Sequence, residues 1–130
     1  MAALMQASYQ GMTPWSERMI ADQIAAPGTL VATVPHAFTL ARVTLDEAEL
    51  LALVTDPAHR RCGHARDLMS RIERAAMRAG AGRMFLEVAQ DNAAATALYA
   101  HLGYAHQGTR RDYYGPGRAA LLMSRALYAD

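Results

Sequence analysis

Cysteine occurs once in the 130 residues, at Cys62, so no disulfide can form within the chain and a cysteine-built metal cluster is excluded. Lysine is missing altogether: all 13 basic residues are arginine, against 12 acidic ones, for a formal net charge of +1. Acids and bases are interspersed, so there is no basic stripe to neutralise a run of phosphates, and direct nucleic-acid binding is not expected. No apolar run approaches the ~20 residues needed to span a bilayer. The longest, Leu50 to Val54 and Ala119 to Met123, are strand-sized. The N-terminus lacks the basic flank and unbroken apolar core of a signal peptide, so the expected location is the cytoplasm, away from membranes. Repeats, low-complexity tracts and Pro/Gly/Ser linkers are also missing, and residues 1–130 read as one domain.

What is present is periodicity. Ala2 to Tyr9 suits a short helix, and Thr13 to Glu17 reads as a turn that makes Ser16 the N-cap of a second helix reaching about Ala25. Pro27-Gly28 stops it. The β-branched and apolar segments Thr29 to Val34 and Ala37 to Val43, divided by Pro35-His36, predict neighbouring antiparallel strands, and a polar turn at Asp46-Glu47 leads into a third, Glu49 to Thr55. After Asp56-Pro57 the period changes: Ala65, Leu68, Met69, Ile72, Ala75, Ala76 and Ala79 recur at three-and-four spacing, a long helix that ends at Gly80-Ala81-Gly82. Arg83 to Val88 then alternates as a strand, with Met84, Leu86 and Val88 on one face. A strand–helix–strand unit predicts a parallel pair joined by a right-handed crossover. A helix from about Asn92 to Leu102 follows, with Gly103 past its end, and strands around Tyr104 to Tyr113 and Ala119 to Leu127 suit a hairpin closed by Gly115-Pro116-Gly117. The expected class is α/β in the mixed α+β sense, a sheet with flanking helices.

Three residues sit where chemistry is plausible. Gly63 falls between an apolar strand and the long helix, where the following amides point out of the positive end of the helix dipole and favour an anion such as a pyrophosphate. A single glycine fits an ordinary β-to-α loop at least as well. Glu87 interrupts an apolar strand, so it pairs with a cation, reaches solvent in a cleft, or serves as a base; an exposed strand-end carboxylate explains it equally. Tyr99 lies seven residues after Asn92, on the same helix face, and taken alone is a core aromatic beside Leu98 and Leu102. Cys62 has no ordered histidine and carboxylate to activate it as a nucleophile. The histidines (His36, His59, His64, His101, His106) lack the spacing of a metal-binding helix, so no metal is expected.

Taken together, Leu50 to Met123 resembles the GNAT superfamily, and within it the ribosomal-protein N-terminal alanine acetyltransferases of the RimI type. The resemblance rests on Asp56-Pro57, on Arg60-x-x-Gly63-x-Ala65 standing for the family's pyrophosphate loop, on Glu87-Val88, Asn92 to Ala95, Ala97-Leu98-Tyr99 and Leu102-Gly103-Tyr104, and on Arg111-Asp112-Tyr113-Tyr114. It implies the acyl-CoA N-acyltransferase fold, a mostly antiparallel sheet with one parallel pair, and acetyl-CoA as co-substrate. It further implies that backbone groups of Leu53, Val54 and Thr55 hold the pantetheine arm and polarise the thioester. Arg60 and the amides of Arg61, Cys62, Gly63, His64, Ala65 and Arg66 are implied to hold the pyrophosphate, and Asn92 to touch the cofactor. Glu87 is implied as the general base, acting through a water, and Tyr99 as the acid for the leaving thiolate. Arg111, Tyr113 and Tyr114 would wall the acceptor groove. The implied acceptor is a protein N-terminal α-amine, with a ribosomal protein beginning with alanine the leading candidate. A small amine, a lysine side chain, or a non-catalytic acyl-CoA-binding role are the alternatives. The chain departs from the family at Arg61, Cys62 and His64, and it starts so near its first helix that the strand usually opening the fold is expected to be missing.

Overall fold

The computed structural model describes residues 16–56, 58, 63–113 and 115–127. The expected helix at Ala2 to Tyr9 and the missing first strand both concern residues outside that range. Helix α1, Glu17–Ala25, is capped by Ser16, whose side chain accepts from the Met19 amide at 3.2 Å, and buries Ile20. It turns into the sheet at Gly28, which has φ +80, and a Cβ there would run into the Val43 carbonyl, so only glycine fits. Strands β1 (Thr29–Val34), β2 (Ala37–Thr44) and β3 (Glu47–Thr55) form an antiparallel meander. The β2–β3 turn is Leu45-Asp46, with Leu45 at φ 57, so β3 begins two residues earlier than the polar pattern suggested.

Helix α2, His64–Arg78, crosses back so that β4 (Arg83–Ala89) lies parallel to β3. Its buried residues, Leu68, Met69, Ile72 and Ala76, follow the three-and-four spacing, and Met69, Ile72 and Ala76 pack in one cluster with Ala48, Leu50, Met84 and Leu86. Helix α3, Ala93–His101, has Asn92 as N-cap and precedes β5 (Ala105–Arg110) and β6 (Ala120–Ala126). The sheet order is β1-β2-β3-β4-β6-β5, with β3–β4 the one parallel pair among five neighbouring pairs. The expected hairpin is present, but β5 stops at Arg110, and Arg111 to Tyr113 form a turn in which Asp112 takes φ 53. A strand extended to Tyr113 is therefore corrected: the positive φ turns the chain off the sheet edge. Among the described residues no helix is long and apolar enough to cross a membrane.

Candidate active site

The parallel pair is hydrogen-bonded over three residues only, Glu47 to Glu49 against Arg83 to Phe85. The cause is a bulge. Leu40 pairs with Ala52 and Ala41 with Leu50, which leaves Leu51 as an extra residue in β3 and bends that strand. From Leu50 to Thr55, β3 stays bound to β2 but has no ladder to β4, so a wedge opens between the two strands, lined on the β3 side by backbone donors and acceptors that β4 does not satisfy. Leu53, Val54 and Thr55 stand on that open stretch.

Beyond the wedge, α2 begins. Gly63 is its N-cap in the left-handed conformation, φ 79, and among the described residues no side chain caps the amides that follow. Among the described residues nothing lies within 4 Å of where a Cβ at Gly63 would stand. His64 and Ala65 are half-buried in the first turn and Arg66 is exposed. Arg60, Arg61 and Cys62 lie outside the described residues, as does Tyr114.

At the root of the wedge, on one face of the sheet, lies a groove of about 260 Å³ lined by Arg42, Glu47, Glu49, Phe85, Glu87 and Arg110 among others. Glu87 projects into it because its neighbours Leu86 and Val88 are buried in the core of the other face. Its Oε1 lies 3.2 Å from Arg110 Nη2, so it takes the cation-paired option. Arg42, buried at its Nε, is engaged by the Gln23 side chain of α1. Neither Arg110 nor the pair Glu47 and Glu49 stood out in the sequence; they look like surface charges until the register brings them to Glu87.

Tyr99 is 7% exposed and belongs to the cluster that contains Leu86 and Val88, so its ring stands on the face of β4 opposite to Glu87. It meets Tyr104 edge-on, with ring centroids 5.9 Å apart at 66°. Asn92 is exposed and its Oδ1 accepts from the Ala95 amide at 3.1 Å. Arg111 and Tyr113 are exposed in the turn after β5, and the Tyr113 ring lies 5.5 Å from the Arg110 guanidinium carbon. Among the described residues no three His, Cys, Asp or Glu side chains converge as a metal site.

Comparison with known proteins gives this geometry a context. The acetyltransferase (GNAT) family matches residues 6–104. The [ribosomal protein bS18]-alanine N-acetyltransferase of Escherichia coli is 34% identical over 110 residues, covering 78% of this chain and 71% of that protein. The N-alpha-acetyltransferase RimI of Mycobacterium tuberculosis is 32% identical over 116 residues, covering 82% of this chain and 71% of the relative. In three dimensions the chain is similar to the crystal structure of the ribosomal-protein-S18-alanine N-acetyltransferase from Escherichia coli. The TM-score is 0.86 at 29% identity, over 99% of this chain and 86% of that one.

Proposed function

The chain belongs to the acetyltransferase (GNAT) family and is an acetyl-CoA-dependent N-acetyltransferase, and from that premise we propose that its acceptor is the N-terminal α-amine of a protein, a ribosomal protein with an N-terminal alanine first among them. The observation that carries the reading is the wedge between β3 and β4, with a carboxylate-bearing groove at its root and the uncapped N-terminus of α2 at its mouth. The wedge suits a thioester arm, because the β3–β4 ladder ends at Glu49 and Phe85, short of Leu53, Val54 and Thr55. The amides of His64, Ala65 and Arg66, which follow Gly63 at the positive end of the dipole, suit a pyrophosphate, and the preceding Arg60, Arg61 and Cys62 are proposed to share in holding it. Asn92, exposed at the start of α3, is proposed to touch the cofactor.

Acetyl-CoA supplies an acetyl carbonyl for the amine and a thiolate as leaving group. The acceptor arrives as an ammonium; Glu87 takes its proton, directly or through a water, and the neutral nitrogen forms the new C–N bond as the C–S bond breaks. Tyr99 gives its phenol proton to the departing sulfur from the opposite face of β4, and the second proton on the attacking nitrogen, which the new amide sheds, passes through water to restore the phenol. Arg111 and Tyr113, exposed in the turn after β5, are available to the peptide, and the same acceptor role is proposed for Tyr114. An α-amine is the easier nucleophile, since its ordinary pKa near ~8 against ~10.4 for lysine saves about 3 kcal/mol of deprotonation, at ~1.36 kcal/mol per unit.

The test compares kcat/KM for a peptide with a free alanine N-terminus and for the same peptide N-blocked and carrying one lysine. We expect the free N-terminus to be used at least tenfold better, roughly one pKa unit's worth of the difference. Equal or better use of the blocked lysine peptide would favour a lysine or small-amine acceptor instead.

A further inference from the structure

Arg110 reaches Glu87 across a whole strand, since β6 lies between β4 and β5. The register explains how. Glu87 pairs with Leu122, and Leu122 pairs on its other side with Gly108. The position in β5 that faces the Glu87 row is therefore a glycine, and a Cβ added there would meet nothing within 4 Å. The register shift between His106 and Gly108 decides which β5 side chains share the face of Glu87. Arg110, two residues beyond Gly108, lies diagonal to that row, and the bare glycine leaves room for its long side chain to extend over Leu122 toward the carboxylate.

Stability is not what this pair supplies. Arg110 is 58% exposed and Glu87 20%, and ion pairs this open to water contribute little to folding. Its consequence is orientation. One guanidinium nitrogen holds one carboxylate oxygen, Oε1, while the Tyr113 ring, 5.5 Å from the guanidinium carbon, steadies the arginine from its other side. The remaining charged groups on the groove are Glu47 and Glu49 of β3 and Arg42 of β2, and Arg42 is committed to Gln23.

We infer that Arg110 is a positioning residue that fixes the Glu87 carboxylate through Oε1 and so leaves Oε2 to take the acceptor's proton. The inference rests on the reading of Glu87 as the base. Arg110 keeps its own protons throughout; the proton moves from the acceptor's nitrogen to Glu87.

The experiment measures kcat and KM with acetyl-CoA and an alanine-started peptide for Arg110→Ala, Arg110→Lys, Glu87→Gln and the double variant Glu87→Gln/Arg110→Ala, with thermal unfolding alongside. Arg110→Ala is expected to lower kcat about tenfold, part of what a positioned base contributes, with peptide KM within about twofold and an unchanged unfolding temperature. Arg110→Lys, which keeps the charge and needs only one donor, recovers most of the loss. In the Glu87→Gln background the Arg110 replacement causes no further drop. A loss confined to KM, a loss that lysine does not relieve, or a full additional loss in the Glu87→Gln background overturns the inference while the base assignment stands. Full kcat in Glu87→Gln alone overturns the base assignment, and the inference with it.

Discussion

The phenol of Tyr104 donates a 2.7 Å hydrogen bond to Glu73 Oε2, and Arg125 Nη1 lies 3.1 Å from Oε1 of the same carboxylate. One acid on α2 thus ties the residue just before β5 to β6. Burial, followed by the Glu73 hydrogen bond, holds the Tyr104 phenol well above its ordinary pKa. In the unfolded chain that phenol ionises near pH ~10, whereas in the folded chain it resists. The stabilisation is whole below pH ~10 and is lost progressively as the pH rises from there toward the folded value.

Tyr104→Phe should therefore lower stability by about 1.5–3 kcal/mol at neutral pH, the usual worth of a hydrogen bond to a charged group. The difference from the parent protein should shrink above pH ~10. Urea unfolding at a series of pH values from neutral to alkaline checks it; a constant difference across the series would remove the phenol's titration from the account.

Gly63→Val should raise the acetyl-CoA dissociation constant severalfold or more. The left-handed φ of 79 disfavours any L residue by roughly 1–2 kcal/mol, and a β-branched side chain would fill the open space above the amides of α2. Titration calorimetry on the folded variant measures it; an unchanged constant would move the pyrophosphate elsewhere.

Tyr99→Phe should cut kcat on the order of 100-fold while leaving cofactor affinity nearly intact. The ring keeps its edge-on contact with Tyr104, so the variant should fold. Single-turnover rates isolate the chemical step; near-normal rates would make Tyr99 a packing residue.

Ile72→Ala should destabilise the protein by about 2–5 kcal/mol, because Ile72 is wholly buried where α2 meets the sheet and its loss leaves a cavity. Denaturant titration reads the loss directly, and a change below about 1 kcal/mol would mean that the α2 seam collapses freely to fill the gap.

The sequence by itself determined the local frame. The Ser16 cap, the stop at Gly28, the apolar stripe of α2 and the alternation of β4 are set by residues within about four positions of one another, and all appear where their spacing puts them. Gly63 and Glu87 were legible for the same reason, one as a loop glycine before a helix and the other as a charge in an apolar strand. Only the tertiary structure decided that β6 lies between β4 and β5, that Leu51 bulges and opens the wedge, and that Arg110 meets Glu87 over Gly108. Tyr99 belongs to this second group as well: its helix face was legible, but its place across β4 from Glu87 was not. Strand order and register are settled by pairing between distant segments, and one extra residue in a strand turns every side chain beyond it to the other face. Nothing in the local composition around Leu51 or Gln107 records that choice; it emerges when the two faces of the sheet compete for the same buried side chains.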